Sequence, residues 1–300
     1  MEIQRNFIPG DEWCYFKIYT GYKTADSILI DTLYPLARKL YEHQLIDQWF
    51  FIRYGDPKFH LRVRLHAKAA EYVPSVIASF NKAVKVSFQQ GLIWKIQMDT
   101  YRRELERYGL PTMGLSESYF MYDSEMVIQT IDVLRNFQED DLHWLTALKL
   151  MDQALHDFGY SLDKKYSFAQ SMQESYKKEY NIDSSYTRQF AHKYRAKKKP
   201  VEQILSRANE ADTRYAALFA PVLEKSGRIR PLIAQLEKEI SLSGSLLTSD
   251  RFLASYIHMT LNRFFRTRQR VQETLLYDFL FRYYSSLQLR EKGEKNPQPE

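Results

Sequence analysis

The sequence WFFIRYGDPKFHLRVR, residues 49–64, decides the fold of the N-terminal part of this chain. Two runs rich in aromatic and β-branched residues stand on either side of GDPK, residues 55–58, and Gly, Asp and Pro are residues that turns favour. The stretch therefore predicts a β-hairpin made of strands Gln48–Tyr54 and Phe59–His66.

The segments on either side of this hairpin continue an alternation of strand and helix. Trp13–Thr20 and Leu92–Asp99 have strand patterns, whereas Thr24–His43 and Lys68–Gln89 have helical patterns. The resulting order β-α-β-β-α-β predicts a ferredoxin-like unit, in which two helices cover one face of a four-stranded antiparallel sheet.

Beyond about residue 115 the chain has helical patterns only. Helices are predicted at 116–136, 140–158, 161–178, 183–207, 210–225, 229–242, 249–265 and 267–288. The predicted fold class is therefore α+β, with a ferredoxin-like sheet portion at 1–112 and a helical portion of the same domain at 113–290. The charged, Pro-containing tail at 291–300 is predicted to be disordered.

Strand alternation predicts one apolar sheet face, which should meet the helices, and one basic face. A hairpin that pairs Tyr54 with Phe59 places Arg53 opposite His60. Like charges across a sheet repel, so a cluster of them favours a bound anion or carboxylate partners, although a solvated face is the alternative. The predicted basic face carries Lys17, Arg53, His60, Arg62, Arg64, Lys95, Gln97 and Asp99.

Composition limits the classes of function. The 300 residues carry a formal net charge of +6 and a sequence pI of about 9.1, which permits an anionic partner without naming one. Cys14 is the only cysteine, so an internal disulfide and a four-cysteine zinc site are excluded. The chain shows no secretory signal, membrane-length apolar run or metal-ligand spacing, and we expect a cytoplasmic protein without metal or cofactor.

Two short stretches combine charges in patterns that suit carboxylate chemistry. Arg62 and Arg64 lie two apart on a strand and point the same way, and guanidinium groups bind carboxylates through two hydrogen bonds. In YRRELERYG, residues 101–109, Glu104 and Arg107 lie three apart. They could serve the same site, or simply pair with each other on one helical turn.

A third stretch, HMTLNRFF at residues 258–265, supplies a candidate for proton transfer. His258 and Asn262 lie four apart and share one face of a predicted helix. Histidine is the usual proton-transfer residue near neutral pH, although a single histidine is more often structural.

Taken in order, these stretches resemble the C-terminal elimination domain of lanthipeptide dehydratases, the SpaB C-terminal or thiopeptide-type bacteriocin biosynthesis family. The most specific part is residues 49–64; YRRELERYG and SESYFMYDS, residues 116–124, are similar to the family's Y-x-x-E-x-x-R-Y-G and E-x-x-F-x-x-D-S patterns. Leu110 departs from the pattern, because a second glycine often follows there. The resemblance runs from Trp13 to the arginine-rich stretch after His258.

The resemblance implies a lyase that removes glutamate from glutamylated Ser or Thr in a ribosomally made precursor peptide, leaving dehydroalanine or dehydrobutyrine. It implies a separate glutamylating dehydratase subunit as partner, as in split dehydratases. By motif position it implies Arg62, Arg64, Glu104, Arg107 and His258 as catalytic residues. We expect Lys17, Arg53, His60 and Asn262 to bind substrate, and the identity of the base that takes the Cα proton stays open.

Three other functions remain as alternatives. The same fold resembles thiopeptide pyridine synthases, which join two dehydroalanines, and the chain could also be a non-catalytic peptide-binding subunit. The basic run Lys193–Lys199 could dock a nucleic acid, but it could equally be a solvated helix end, and no nucleic-acid-binding signature accompanies it. We therefore expect no direct nucleic-acid contact, and the resemblance is compatible with a homodimer.

Overall fold

A four-stranded antiparallel sheet forms the N-terminal core in the computed structural model of the protein, which describes residues 3–206, 213–243 and 248–295. Its strands are β2 (Trp13–Thr20), β3 (Ile46–Tyr54), β4 (His60–Ala67) and β5 (Ile93–Met98). Their order in the sheet, β3-β4-β2-β5, is that of the predicted ferredoxin-like unit. The predicted α+β fold class is confirmed.

Two further strands form a separate short ribbon, and helices make up most of the remaining described chain. The ribbon pairs β1 (Asn6–Phe7) with β6 (Tyr101–Arg102). The helices are α1 (Thr24–Ile28), a π-helical segment (Leu29–Leu33), α2 (Tyr34–Glu42), a 3₁₀ turn (Ala70–Tyr72), α3 (Val73–Gln89), α4 (Leu105–Tyr108), α5 (Met113–Leu134), α6 (Leu142–Asp157), α7 (Leu162–Glu179), α8 (Ser184–Leu205), α9 (Thr213–Ser243), α10 (Ser249–Phe264) and α11 (Gln269–Lys295).

The C-terminal helices differ from the prediction in two places. α9 is one continuous helix where two were expected at 210–225 and 229–242, because buried Val222, Ile229 and Ile233 continue one helical face through the expected break. α11 extends to Lys295, so the first five residues of the predicted disordered tail are helical. Residues 207, 210–212 and 296–300 of the predicted segments lie outside the described residues.

The register of the hairpin differs from the prediction by one residue. Tyr54 pairs with His60 rather than with Phe59, so the loop between the paired residues is one residue longer. Because side chains alternate along a strand, a shift of one residue relative to β4 places every side chain of β3 on the sheet face opposite to the predicted one. Phe50 therefore lies directly opposite Arg64 on β4, while Arg53 lies opposite Leu61.

The two faces of the sheet consequently have different surroundings. The face that carries Phe16 is covered by α3, where Phe16 stacks on Phe80 with ring centroids 3.7 Å apart. The opposite face carries Arg62 and Arg64 together with Tyr15, their neighbour on β2. We call this second surface the arginine face.

Side chains from two helices satisfy the outer edge of β3. The Phe51 amide donates to Ser124 Oγ (3.2 Å), and Arg263 Nε donates to the Phe51 carbonyl (2.8 Å). The Arg53 amide donates to Asn262 Oδ1, and Asn262 Nδ2 donates to the Arg53 carbonyl, both at 3.0 Å. Helices α5 and α10 therefore join the sheet at its edge, where unpaired main-chain groups would otherwise remain.

A fully buried ion-pair network lies behind this edge. Arg263 Nη1 is 2.8 Å from Asp123 Oδ2, and Lys225 Nζ is 2.5 Å from the other oxygen of the same carboxylate. Thr260 Oγ1 also donates to Asp123 Oδ1 (2.8 Å). Asp123 and Arg263 are fully buried, so each depends on the other for charge compensation.

We expect Arg263→Ala to lower the free energy of unfolding by about 3–5 kcal/mol, because it leaves a buried carboxylate short of one cation and removes a bond to β3. The matched control, Arg38→Ala, removes a cation from an exposed pair with Glu42 and should cost about 0–1 kcal/mol. Urea unfolding followed by circular dichroism measures both. Equal losses in the two variants would contradict the structural role given to Arg263.

Candidate functional site

The arginine face contains one arginine that is enclosed by aromatic rings and has no acidic partner. Arg64 is 8% exposed, and its Cζ lies 4.5 Å from the ring centroid of Tyr15, 4.8 Å from that of Tyr101 and 5.1 Å from that of Phe50. Its Nε has no hydrogen-bond partner, and no carboxylate among the described residues forms an ion pair with it. A buried charge without a counter-ion is costly.

Strand pairing and the β1–β6 ribbon build this cage. Tyr15 and Phe50 are the cross-strand neighbours of Arg64 on β2 and β3, and Tyr101 reaches over them from β6. Burial lowers the pKa of the Arg64 guanidinium, whereas Tyr101 and Tyr15 act in the opposite direction. The guanidinium remains a cation at neutral pH, because the ordinary pKa of arginine is so high.

A small cleft opens beside Arg64. Glu104 lies on it, close enough for its charge to act on Arg64, and Met259 of α10 contributes from the helical portion. The cleft therefore lies where the sheet, the segment after β6 and α10 come together. Its lining includes Phe50, Arg64, Tyr101, Glu104, Tyr108 and Met259.

Arg62 is held in place by its neighbours on the arginine face. Its Cζ lies 3.4 Å from the ring centroid of Tyr54, and its Nε donates to His60 Nε2 (3.1 Å). His60 Nδ1 lies 2.8 Å from the Lys58 carbonyl and donates to it, which leaves Nε2 as the acceptor. Burial lowers the pKa of His60, with Arg62 and Lys17 acting in the same direction, so the neutral ring that this arrangement requires is favoured.

Lys17 adds a third cation to the same face. It lies opposite Arg62 on β2 and forms an ion pair with Asp99. Arg62, Arg64 and Lys17 therefore share one surface, and the carboxylate that pairs with Lys17 is half-buried at its rim. His60 supports Arg62, so its expected role in substrate binding is indirect.

The Glu104–Arg107 pair lies at the entrance of the cleft. Glu104 precedes α4, and its carboxylate is 3.5 Å from Arg107 Nη1, with 65% and 43% of the two side chains exposed. This is the i, i+3 pair that the sequence allowed as an alternative. Arg107 also packs over Tyr108, and it is not part of the cleft lining that contains Arg64.

His258 is held by α11 rather than by the sheet. Its Nδ1 is 2.9 Å from Oε2 of Glu273, which is fully buried, and Gln269 Nε2 donates to the same oxygen (3.0 Å). Gln269 Nε2 (3.0 Å) and Arg270 Nη1 (3.3 Å) also lie within hydrogen-bond distance of His258 Nδ1. When Nδ1 carries the proton and donates it to Glu273, Nε2 keeps the lone pair that a base requires. Within the described residues, Nε2 has no hydrogen-bond partner.

The structure does not bring His258 into contact with Arg62 or Arg64. No contact joins it to either arginine among the described residues; its neighbour Met259 lines the cleft, but His258 itself is not part of the lining. Its side chain contacts Gln269, Arg270 and Glu273 of α11, and no spacing in the sequence identified Glu273 as its partner.

Arg53 and Asn262 have structural roles that correct the prediction of substrate binding. Arg53 is 3% exposed on the helix-covered face; its Nη2 is 2.6 Å from Asp26 Oδ1, and its Nε donates to the Arg263 carbonyl (2.7 Å). The prediction that Arg53 shares a face with Arg62 is wrong, because the register of β3 is shifted by one residue. Asn262 is occupied by the edge of β3.

The motif at residues 116–124 supports the cage instead of contributing to its surface. Glu117 accepts two hydrogen bonds from Arg103 (2.8 and 2.7 Å) and one from the Tyr101 hydroxyl (2.8 Å). These bonds hold Tyr101 above Arg64. Tyr15, Phe50 and Tyr101 were not predicted to surround Arg64, and the correct hairpin register would have revealed Phe50.

Neither a metal centre nor a membrane span is found in the described part of the chain. Among residues 3–206, 213–243 and 248–295, no three histidine, cysteine, aspartate or glutamate side chains converge in a way that could hold a metal ion. In the same ranges, every helix is too short or too polar to cross a bilayer.

The family described as "Lantibiotic biosynthesis dehydratase C-term" matches residues 13–284. This chain belongs to that family. The match covers both the sheet and the helical portions, so the resemblance drawn from residues 49–64, 101–109 and 116–124 is confirmed.

Three relatives illustrate how this dehydratase C-terminal chain compares with known proteins. Subtilin biosynthesis protein SpaB of Bacillus subtilis is 27% identical over 183 residues, which are 59% of this chain and 17% of SpaB. The tRNA-dependent lantibiotic dehydratase MibB from Microbispora sp. 107891 superposes with a TM-score of 0.74 at 22% identity, over 97% of this chain and 29% of MibB. The pyridine synthase TbtD from thiomuracin biosynthesis gives a TM-score of 0.71 at 14% identity, over 92% of this chain and 99% of TbtD.

The share of the relative that this chain covers differs between SpaB and MibB on one side and TbtD on the other. The chain spans less than a third of SpaB or of MibB, whereas it spans nearly all of TbtD. The structural similarity to MibB and TbtD establishes a shared fold, and one fold can host several functions.

We expect Arg64→Met to unfold at the same urea concentration as the wild type or at a higher one. Methionine fills part of the aromatic cage and removes a buried cation that has no carboxylate partner. Arg263→Met is the matched control and should unfold at a clearly lower concentration, because Arg263 is paired with Asp123. If the two variants are equally destabilised, Arg64 is a structural residue.

Proposed function

We propose that this chain removes glutamate from glutamylated Ser or Thr in a ribosomally synthesised precursor peptide. The observation that carries the proposal is Arg64, a buried cation in an aromatic cage that lacks an ion-pair partner among the described residues and borders a small cleft. A buried arginine without an ion-pair partner lowers the stability of the fold, and residues that lower stability are commonly retained because they bind a ligand. A glutamate carboxylate is a ligand of matching charge and geometry.

The proposed reaction is a β-elimination. A base takes the Cα proton of the glutamylated residue, and the electrons of that C–H bond form the Cα=Cβ double bond. The Cβ–O bond breaks, and glutamate leaves as a carboxylate. Two charges need stabilisation: the enolate-like charge beside the peptide carbonyl and the new carboxylate of the leaving group.

The residues of the arginine face suit the charges of this reaction. Arg64 would bind the free carboxylate of the glutamyl group, and Arg62, fixed by Tyr54 and His60, would face the leaving carboxylate. Lys17 adds to the positive field of the same surface. Glu104 and Arg107, at the entrance, would orient one another and the incoming glutamyl group.

His258 is the proton-transfer residue in this proposal, and Glu273 is the residue that positions it. A proton on Nδ1 that is donated to Glu273 at 2.9 Å would stabilise the imidazolium that forms when Nε2 takes the Cα proton, whereas the cation of Arg270, 3.3 Å from the same nitrogen, acts against it. The arginines remain cations and are not assigned as bases. Glu273 acts through His258 and does not itself contact substrate.

The proposal has consequences for the partners. A chain that performs only the elimination requires a glutamylating subunit to supply its substrate, and the reaction would then take place in the cytoplasm on a lanthipeptide or thiopeptide precursor. The sheet and helical portions would act as one domain, since Met259 of α10 lines the same cleft as Arg64 of β4.

We expect the purified chain, given a glutamyl-Ser peptide, to release whole glutamate and form dehydroalanine, as followed by mass spectrometry. Arg64→Met should lower kcat/KM by about 10²–10³ through loss of charge stabilisation. His258→Ala should lower it by about 10²–10⁴ through loss of proton transfer. Lys198→Glu, on an exposed part of α8, is the control and should leave turnover unchanged.

The other outcomes of this assay discriminate the alternatives. Wild-type turnover in Arg64→Met would remove the basis of the proposal. An intact ester with the wild-type chain, followed by cyclisation of a peptide that contains two dehydroalanines, would establish a pyridine synthase. An intact ester with tight peptide binding and no cyclisation would indicate a non-catalytic peptide-binding subunit.

Glu273→Gln is expected to reduce turnover less than His258→Ala does, while KM changes little, because the variant keeps the shape of the pair and removes only its negative charge. In ¹⁵N NMR spectra, His258 of the wild type should carry its proton on Nδ1, and Glu273→Ala should show a mixture of the two tautomers. An unchanged tautomer in Glu273→Ala would exclude the positioning role.

A further inference from the structure

The sheet has a second edge, and the helices leave it uncovered. β5 pairs only with β2 in the sheet order, and its far side has no strand neighbour among the described residues. The edge of β3 is satisfied by Ser124, Asn262 and Arg263. Within the described ranges, no side-chain hydrogen bond reaches the main chain of Ile93–Met98; Thr20 of β2 donates one to the carbonyl of Leu92, just before that strand. An open strand edge offers main-chain donors and acceptors to an added strand.

An apolar groove of about 620 Å³ runs between this edge and α3. Trp94 and Phe88 are 49% and 48% exposed, and Leu92 beside them is 42% exposed. Large apolar side chains exposed together on one surface mark interaction sites. We call this surface the β5 groove; it is lined by Val84, Lys85, Phe88, Trp94, Lys95 and Ile96.

The charged side chains at the β5 groove are all basic. Lys85 and Lys95 line it, and Lys82 lies one turn before Lys85 on α3. All three lysines are exposed and form no ion pair with the described residues, and the lining contains no acidic side chain. The groove therefore complements a segment that carries both apolar and acidic residues.

The β5 groove lies on the α3 side of the sheet and the arginine face is the other side of the same sheet, so a strand added at the β5 edge borders both. Lys95 and Gln97 of β5 lie opposite Tyr19 and Lys17 of β2, and Lys17 lies opposite Arg62 of β4. A strand added at β5 would be three strand spacings from β4, about 14 Å. A peptide that leaves such a strand needs only a few residues to reach the arginines, since each extended residue spans about 3.3 Å.

We propose that the β5 groove binds an extended segment of the precursor peptide as an added strand. The inference rests on the proposed function, because it takes the substrate to be a peptide. Side chains on the α3 side of the segment pack on Trp94 and Phe88 and meet Lys85, acidic side chains on the other side meet Lys95, and main-chain groups pair with β5. The segment thereby tethers the glutamylated residue near Arg62 and Arg64.

Binding is tested without turnover by fluorescence anisotropy, with a short fluorescein-labelled peptide of alternating leucine and aspartate. Lys85→Glu with Lys95→Glu should weaken binding roughly tenfold or more, because two attractive charges become repulsive. The control, Lys198→Glu with Lys199→Glu, makes the same change of net charge on α8 and should bind like the wild type. Equal weakening in both double variants would overturn the proposal.

A peptide with N-methyl groups tests strand addition itself. Methylation of one alternate set of amides should abolish binding and methylation of the other set should have little effect, because an edge strand pairs through only one set. If both methylated peptides bind like the parent peptide, no strand is added at β5. If Trp94→Ser converts a dimer into a monomer while peptide binding is unchanged, the groove lies between two copies of this chain and the proposal fails.

Turnover separates this inference from the proposed function. The Lys85→Glu and Lys95→Glu double variant should raise KM for a long glutamylated peptide and leave KM for a minimal glutamyl-Ser substrate unchanged. If the double variant loses peptide binding but the wild-type chain never eliminates glutamate, peptide binding by the β5 groove is supported and the proposed function is contradicted. If the double variant eliminates glutamate with a normal KM for the long peptide, the proposed function is supported and peptide binding by the β5 groove is contradicted.

Discussion

The fold depends on how the outer edge of β3 is satisfied. Phe51 and Arg53 present main-chain groups that no strand pairs with, and side chains of α5 and α10 take the place of that strand. The same contacts fix α10 against the sheet and hold Arg263 over the buried carboxylate of Asp123. A register slip of β3 would break them together, so the edge couples strand pairing to the docking of the helical portion and thereby sets the distance between α10 and the arginine face.

The buried arginines are of two kinds, and the contrast indicates where function lies. Arg53 and Arg263 are each compensated by a buried aspartate, Asp26 and Asp123 respectively, and they hold the sheet and helices together. Arg64 is buried to a similar degree, but it contacts aromatic rings and forms no ion pair with a carboxylate of the described residues. Aromatic faces partly replace a counter-ion, because their quadrupole attracts a cation, yet they leave the guanidinium able to bind a ligand carboxylate.

Much of the architecture could be predicted from the sequence, because strand and helix periodicity are local properties. The bounds of β2 were predicted correctly, and Arg62 and Arg64 were placed on one face. The partner of Arg53 could not be predicted, since one extra loop residue between Tyr54 and His60 reverses the faces of β3, and local pattern does not fix loop length. Glu273 was also missed, because its contact with a histidine on another helix has no sequence spacing that identifies it.

Binding of the substrate's glutamate carboxylate by Arg64 can be tested with a single crystal structure. A glutamyl peptide with an amide in place of the ester has nearly the same shape and cannot eliminate, so it can be crystallised with the wild-type chain. We expect a glutamate carboxylate within hydrogen-bond distance of the Arg64 guanidinium, with the peptide Cα directed towards Nε2 of His258. A glutamyl group bound elsewhere, with Arg64 still enclosed by Tyr15 and Tyr101 and without a ligand, would show that Arg64 does not bind the substrate.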